Sequence, residues 1–195
     1  MSEFVLYYGL GLDHILDIAG YDHIMFVVAL SALYQIEDWK KVLILVTAFT
    51  LGHSVTLALA TLELVDVPGN LIEFLIPVTI LVTAITNLFV KEGNQFTKRR
   101  ISINYFFAGF FGLIHGLGFS NYLKSLLGRD TTIVTQLFAF NVGLEVGQII
   151  IVGIFLILGF IFVSVFGVAR RDWKMIISSA VAGVSLTLMM DNTYW

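Results

Sequence analysis

Six side chains in this sequence have the chemistry to hold a metal ion where water is scarce: His14, Asp22, His23, His53, His115 and Glu145. The four histidines are all that the chain has, and each lies inside or against an apolar segment. His53 sits in FTLGHSVTLALA and His115 in FFGLIHGLGFSN, where a lipid-facing helix would need only hydrocarbon. Ionisable groups at such depth are costly and mark functional positions by default. Imidazoles with two or three carboxylates suit a borderline divalent ion such as Ni, Zn, Cu or Fe. With no cysteine in the chain, thiolate sites, disulfides and cysteine nucleophiles are excluded. Ligating histidines must be neutral, so binding would depend on pH. No single helix carries a spacing of the HExxH kind, so the signal lies in several helices converging.

The elements that must position these groups follow from composition. Hydrophobic residues make up 58% and charged residues 13% of the 195, with a mean hydropathy of +0.92. A soluble domain is nearer a quarter charged, so the reading is one polytopic, all-α integral membrane domain over 1–195. The net charge of −3 gives no basis for a nucleic-acid partner. Apolar runs predict six transmembrane helices, about 21–36, 42–63, 71–90, 102–123, 133–166 and 174–190. The first is short for the roughly 20 residues that a crossing needs. The preceding stretch, FVLYYGLGLDHILDI, is therefore expected to support it as a short interfacial or re-entrant helix with its polar face toward the bundle. It has no basic leader or small-residue cleavage site, which argues against a signal peptide. The fifth run is too long for one straight crossing, so its first third is expected to be tilted, broken or projecting from the bilayer, with Gly143–Gly147 the place for a break.

Loop charge sets the orientation. IEDWKK, KEGNQFTKRR and ARRDWK, the loops after spans one, three and five, carry nine of the eleven basic residues. ELVDVPGN has none and KSLLGRD two. The positive-inside rule then puts both termini outside. This orientation predicts His14, Asp22, His23 and Glu73 at the outer ends of their segments. His53, His115 and Glu145 fall deeper, giving a track from the outer surface to the midplane.

Plainer roles stand beside each of these. Asp22 could cap a helix, and Glu73 could answer a helix dipole. His53 shares a face with Thr50 and Thr47 and could simply hydrogen-bond a neighbouring helix. Asn141, Glu145 and Gln148 recur on one helical face. They could form a polar zipper to Thr79, Thr83 and Asn87 of span three. The pairs Gly112/Gly116 and Gly143/Gly147 permit close helix approach, within one chain or in a homo-oligomer.

The stretches HILDIAGYDHIMF, TAFTLGHSVTLAL, FGLIHGLGFS and FNVGLEVGQ, in that order across residues 9–150, resemble the HupE/UreJ family of bacterial membrane proteins. The resemblance implies a permease or secondary transporter for nickel in the bacterial cytoplasmic (inner) membrane. It matches His14, Asp22 and His23 to an early HxnDH element, His115 and Gly116 to a histidine-glycine element, and Glu145 to the acidic position that follows. The first element is longer here and the second holds one histidine instead of two, which suggests a divergent branch.

The reading is inward movement of a divalent transition metal, Ni or Zn foremost and otherwise Co, Fe or Cu. An outer funnel of His14, Asp22, His23 and Glu73 would lead to a midplane site of His53, His115 and Glu145. Asn141, Gln148 and Ser54 would be weaker ligands or supports. Its partners would be the ion and the lipid bilayer. The alternative is an intramembrane zinc-dependent hydrolase acting on a lipid, with Glu145 as general base and Ser54 or Ser120 as candidate nucleophiles. A third reading, an accessory subunit, predicts that His53 and Glu145 are dispensable.

Overall fold

A computed structural model describes residues 2–91, 98–120, 122–123 and 133–193, with the side chains of 98–100 excepted. The loop KSLLGRD and the Lys98, Arg99 and Arg100 side chains used in the orientation argument lie outside the described residues. The described chain is helical, with no β-strand among these residues. Five helical segments are long and apolar enough to cross a membrane: Ile36–Thr61, Gly69–Leu88, Ile101–Gly118, Ile133–Val165 and Arg170–Asp191.

The N-terminal region is two helices. Helix α1, Glu3–Leu16, starts where the Ser2 hydroxyl accepts from the Val5 amide. It stops at Asp17, whose backbone turns extended and whose carboxylate accepts from the Ala19 amide at 2.8 Å. After an exposed turn, α2 runs from Asp22 to Ser31. Ten residues rise only about 15 Å, half a hydrocarbon core, so α2 alone does not fill the first predicted span.

Helix α3 is Trp39–Thr61, α4 Gly69–Leu88, α5 Lys98–Gly118, α6 Ile133–Phe160 and α7 Arg170–Asp191. Two parallel pairs dominate the packing: α3 with α5, and α1 with α6. Both depend on glycine. A Cβ at Gly112 or Gly116 would strike the carbonyls of Phe49 and His53, and one at Gly143 would strike that of Tyr8. Gly112, Gly116 and Gly143 are therefore turned inside the bundle, where they let backbones touch.

Of the three expectations for the fifth span, the break at Gly143–Gly147 is the one the helix does not show. α6 is continuous through Gly143 and Gly147, and only its far end changes, to one π turn over Ile161–Val165. Its excess length is matched by α1, which lies along its first half: Phe4 packs on Phe138, and Gly147 faces Ile15. The interruption sits between α1 and α2 instead. There Asp17, Gly20 and the Asp22 start signal supply the turn chemistry, whereas Gly143 and Gly147 of α6 are packing glycines.

The bundle has two unlike ends. Residues 34–37, Val90 and Arg170–Lys174 surround one cavity, and the Lys174 ammonium donates to the Val90 carbonyl at 2.6 Å. At the other end Ala19–Asp22, Glu73, Pro77 and Asn192 surround a second. The described start of α1 and end of α7 both lie toward this second end.

Candidate metal centre

The interrupted α1–α2 element carries two of the four histidines to its own break. His14 is in the last turn of α1 and His23 in the first turn of α2. Their rings meet edge to face with centroids 4.6 Å apart. His53 comes from the middle of α3, 6.1 Å from His14 and 6.2 Å from His23. One nitrogen from each of His14, His23 and His53 lies within 4.8 Å of the other two. His115 of α5 stands beside this triad, its ring 5.1 Å from that of His23. Gly116 makes this possible, because only a residue without Cβ lets α5 come against the His53 backbone.

The rings are buried and largely without protein partners. Nε2 of His14, Nε2 of His23, both nitrogens of His53 and Nδ1 of His115 are buried and accept or donate no hydrogen bond. Five such atoms in one place form an unusual group, since buried polar groups are ordinarily satisfied. Up to four of them can present a lone pair at once, because neutral His53 keeps a proton on one nitrogen, and such lone pairs are of the type a divalent transition ion takes. Phe119 and Phe140 wall the cluster on the His14 side, and Phe26 and Phe49 on the His115 side.

Two neighbours fix how the rings present themselves. The Asp22 carboxylate accepts from His23 Nδ1 at 3.0 Å and from the His23 backbone amide at 2.9 Å. That proton on Nδ1 leaves the Nε2 lone pair directed at the cluster, the usual work of an outer carboxylate on a metal-ligating histidine. The Thr79 hydroxyl donates to the Ile76 carbonyl at 2.7 Å, so its oxygen accepts from His115 Nε2 at 3.0 Å. His115 is then protonated on Nε2, and Nδ1 keeps its lone pair. The C-terminal end of α1 also presents carbonyls toward this level, and helix C-termini favour cations. Asp22 offsets the opposite polarity at the start of α2.

The other predicted residues are placed elsewhere. The Thr47 hydroxyl donates to the Glu145 carboxylate at 2.5 Å, and the Thr50 hydroxyl to Gln148 Oε1 at 2.8 Å. This stripe thus joins α6 to α3, whereas the zipper expected from the sequence ran to Thr79, Thr83 and Asn87 of α4. Asn141 Nδ2 donates to its own helix at the Leu137 carbonyl, and Ser54 likewise donates to Thr50. Glu73 is exposed and lines the second cavity with Asp22. Pro77 lines it too, and its missing N–H leaves the Glu73 carbonyl without its helical donor. Asp13 points outward, so only His14 of α1's polar residues joins the cluster.

Sequence reasoning divided the histidines into an outer tier and a midplane tier, and the structure brings all four together. It also passed over Thr79 as a histidine partner. The adjacency of Asp22 and His23 was the available signal for the carboxylate–imidazole pair. No sequence signal marked Thr79 beyond its i, i+4 relation to Thr83.

The sequence model of the HupE / UreJ protein family matches residues 1–193. No curated protein and no solved structure matches the chain. The match spans essentially the whole chain, which belongs to the HupE/UreJ family and is a membrane protein.

Proposed function

We propose that this HupE/UreJ protein is a permease for a divalent transition metal, with the buried histidine cluster as its central ion site. The carrying observation is the set of unpartnered imidazole nitrogens of His14, His23 and His53, one from each within 4.8 Å of the other two, among aromatic side chains. Asp22 and Glu73 form the mouth, where carboxylates draw the cation in and begin to strip its water. Asp22 then serves as the orienting carboxylate for His23. Glu145 and Gln148 hold α6 against α3, Asn141 bonds within α6, and all three stand outside the ligand set.

In this reading α1 and α2 together make the first of six spans, as a broken element whose interruption lines the site. Irregular backbone at membrane depth is tolerated beside a cavity or within protein. The end bearing Lys40, Lys41, Arg170, Arg171 and Lys174 faces the cytoplasm, both termini face outward, and the chain resides in the bacterial inner membrane. The ion moves inward, and Ni2+ or Zn2+ fits the imidazole set best. The chain forms one domain in the lipid bilayer. A homo-oligomer would draw on outward small-residue faces, where Gly153 and Gly183 meet nothing within 4 Å.

Three imidazoles are also the ligand set of some catalytic zinc sites, which keeps a lipid hydrolase as the second reading. That chemistry would want a general base at the ion, and Glu145 is engaged by Thr47. Metal uptake decides between the two. Cells expressing wild type or His53→Ala at matched levels would be offered Ni, Co, Zn, Fe and Cu and analysed by element. Accumulation of one metal that His53→Ala abolishes supports the permease and names the cargo. No accumulation, together with a stoichiometric ion in the purified protein, would overturn it in favour of the hydrolase.

A further inference from the structure

The cavity at the basic end of the bundle shares no residue with the histidine cluster. It forms where α6 gives way to α7. Helix α6 ends in the π turn Ile161–Val165, and Gly167 then reverses the chain at φ +74°, which suits a residue without Cβ. Helix α7 starts at Arg170, and Lys174 reaches across to the Val90 carbonyl beyond the end of α4. Residues 32–37, which follow α2, close the remaining side.

The polar lining has many donors and few acceptors. Arg170, Arg171 and Lys174 line it against a single carboxylate, Glu37. Among the described residues, neither arginine makes an ion pair. The acids next to these in sequence are placed otherwise: Asp38 accepts from Lys41 at 2.7 Å, and Asp172 is exposed outside the lining. Lys174 spends one of its three protons on Val90. Ala169 brings no side-chain cap to α7, so the first amides of that helix are left as donors too. Two guanidinium forks beside a helix start suit the oxygens of a phosphate.

The other half of the cavity is apolar. Leu33, Phe160 and Val163 line it. Beside them Phe162 and Phe166 are exposed, with ring centroids 5.7 Å apart. Trp173, also in the lining, stacks on Phe162 with 5.3 Å between centroids. Tryptophan is enriched at the headgroup level of a bilayer. Free phosphate would answer the basic half alone, whereas a phosphate carrying acyl chains answers both.

We infer that this cavity is a headgroup site for an anionic phospholipid, its phosphate held by Arg170 and Arg171 and its chains lying along Phe160, Phe162 and Phe166. Basic pockets between spanning helices take such headgroups. The bound lipid ties the α6–α7 corner to the residues after α2. Basic residues gather at cytoplasmic ends in any case, so the test must separate a site from bulk charge.

The purified full-length chain in uncharged detergent is titrated with phosphatidylglycerol or with phosphatidylcholine of the same acyl chains. Bound lipid is read by native mass spectrometry, alongside the melting temperature. Phosphatidylglycerol should bind the more tightly and raise the melting temperature. The double variant Arg170→Gln, Arg171→Gln should weaken that binding about tenfold or more. Lys40→Gln with Lys91→Gln removes two exposed charges outside the lining and should leave it unchanged. Equal losses in the two double variants, or equal binding of the two lipids by the wild type, would overturn the site. Inorganic phosphate that matches the rise in melting temperature and displaces the lipid would overturn the lipid as occupant. Should the arginine pair fail to fold, Arg171→Gln alone is read the same way, with a several-fold loss expected. None of these outcomes bears on the permease reading.

Discussion

Two polar regions lie between helices of this bundle, and they are organised in opposite ways. Along the α3–α6 seam, Glu145 meets Thr47 and Gln148 meets Thr50, so Glu145 and Gln148 each have a hydroxyl donor. The atoms left over there, Asn141 Oδ1 and Gln148 Nε2, are one acceptor and one donor. In the cluster at the α1–α2 break, five imidazole nitrogens are left without partners in one enclosure. The first pattern is that of a seam that holds two helices together. The second makes sense when something absent from the chain completes it. Depth and residue type alone do not distinguish the two, whereas partnering does.

The largest effect should come from breaking the unsatisfied region. His53→Ala removes a ring whose two nitrogens both lack partners. Metal affinity should fall by more than ~100-fold, beyond the roughly 10–100-fold that outer partners contribute. Isothermal titration on purified protein checks this. Asp22→Asn should lower affinity by about 10–100-fold, because it no longer fixes the His23 tautomer. Its stability without metal should change far less.

The comparison sharpens with pH. Neutral imidazoles take the ion, so protons compete and affinity should fall as pH falls. Glu145→Gln should leave that profile unchanged, since its carboxylate faces Thr47. A profile altered by Glu145→Gln would bring the seam into the ion site.

Gly116→Val tests the scaffold that serves the cluster. Its side chain would meet the His53 carbonyl and Thr56. The expected loss is about 1–3 kcal/mol of stability by overpacking, read as a lower melting temperature together with weakened metal binding. The smallest effect belongs to the seam: Glu145→Gln should shift stability by about 0.5–1.5 kcal/mol, the range of one hydrogen bond, with metal affinity unchanged.

Much of this was legible beforehand, for physical reasons. Apolar runs long enough to cross a membrane have few alternatives, so the helices between 39 and 191 stand close to where hydropathy puts them. The histidines were conspicuous because imidazole is expensive at that depth. What the sequence did not reveal was level. Depth counted along each helix from its end separated His14 and His23 from His53 and His115, and that count assumed continuous spans. Helix α1 runs parallel to α6 and ends at the cluster, where α2 begins, so both of its histidines reach the same level as His53. The Gly143–Gly147 pair was ambiguous for a related reason. In a long apolar run glycines can mark a break or a close approach, and the partner that explains them, Tyr8 to Ile15 of α1, lies far away in sequence.

The most direct test of the central claim is the X-ray absorption spectrum of Ni2+ bound to the purified full-length chain, taken on wild type, His53→Ala and Glu145→Gln. The account predicts a shell containing about three imidazole nitrogens, lost or depleted in His53→Ala and unchanged in Glu145→Gln. A shell of oxygens alone, or one that Glu145→Gln alters and His53→Ala does not, would contradict it.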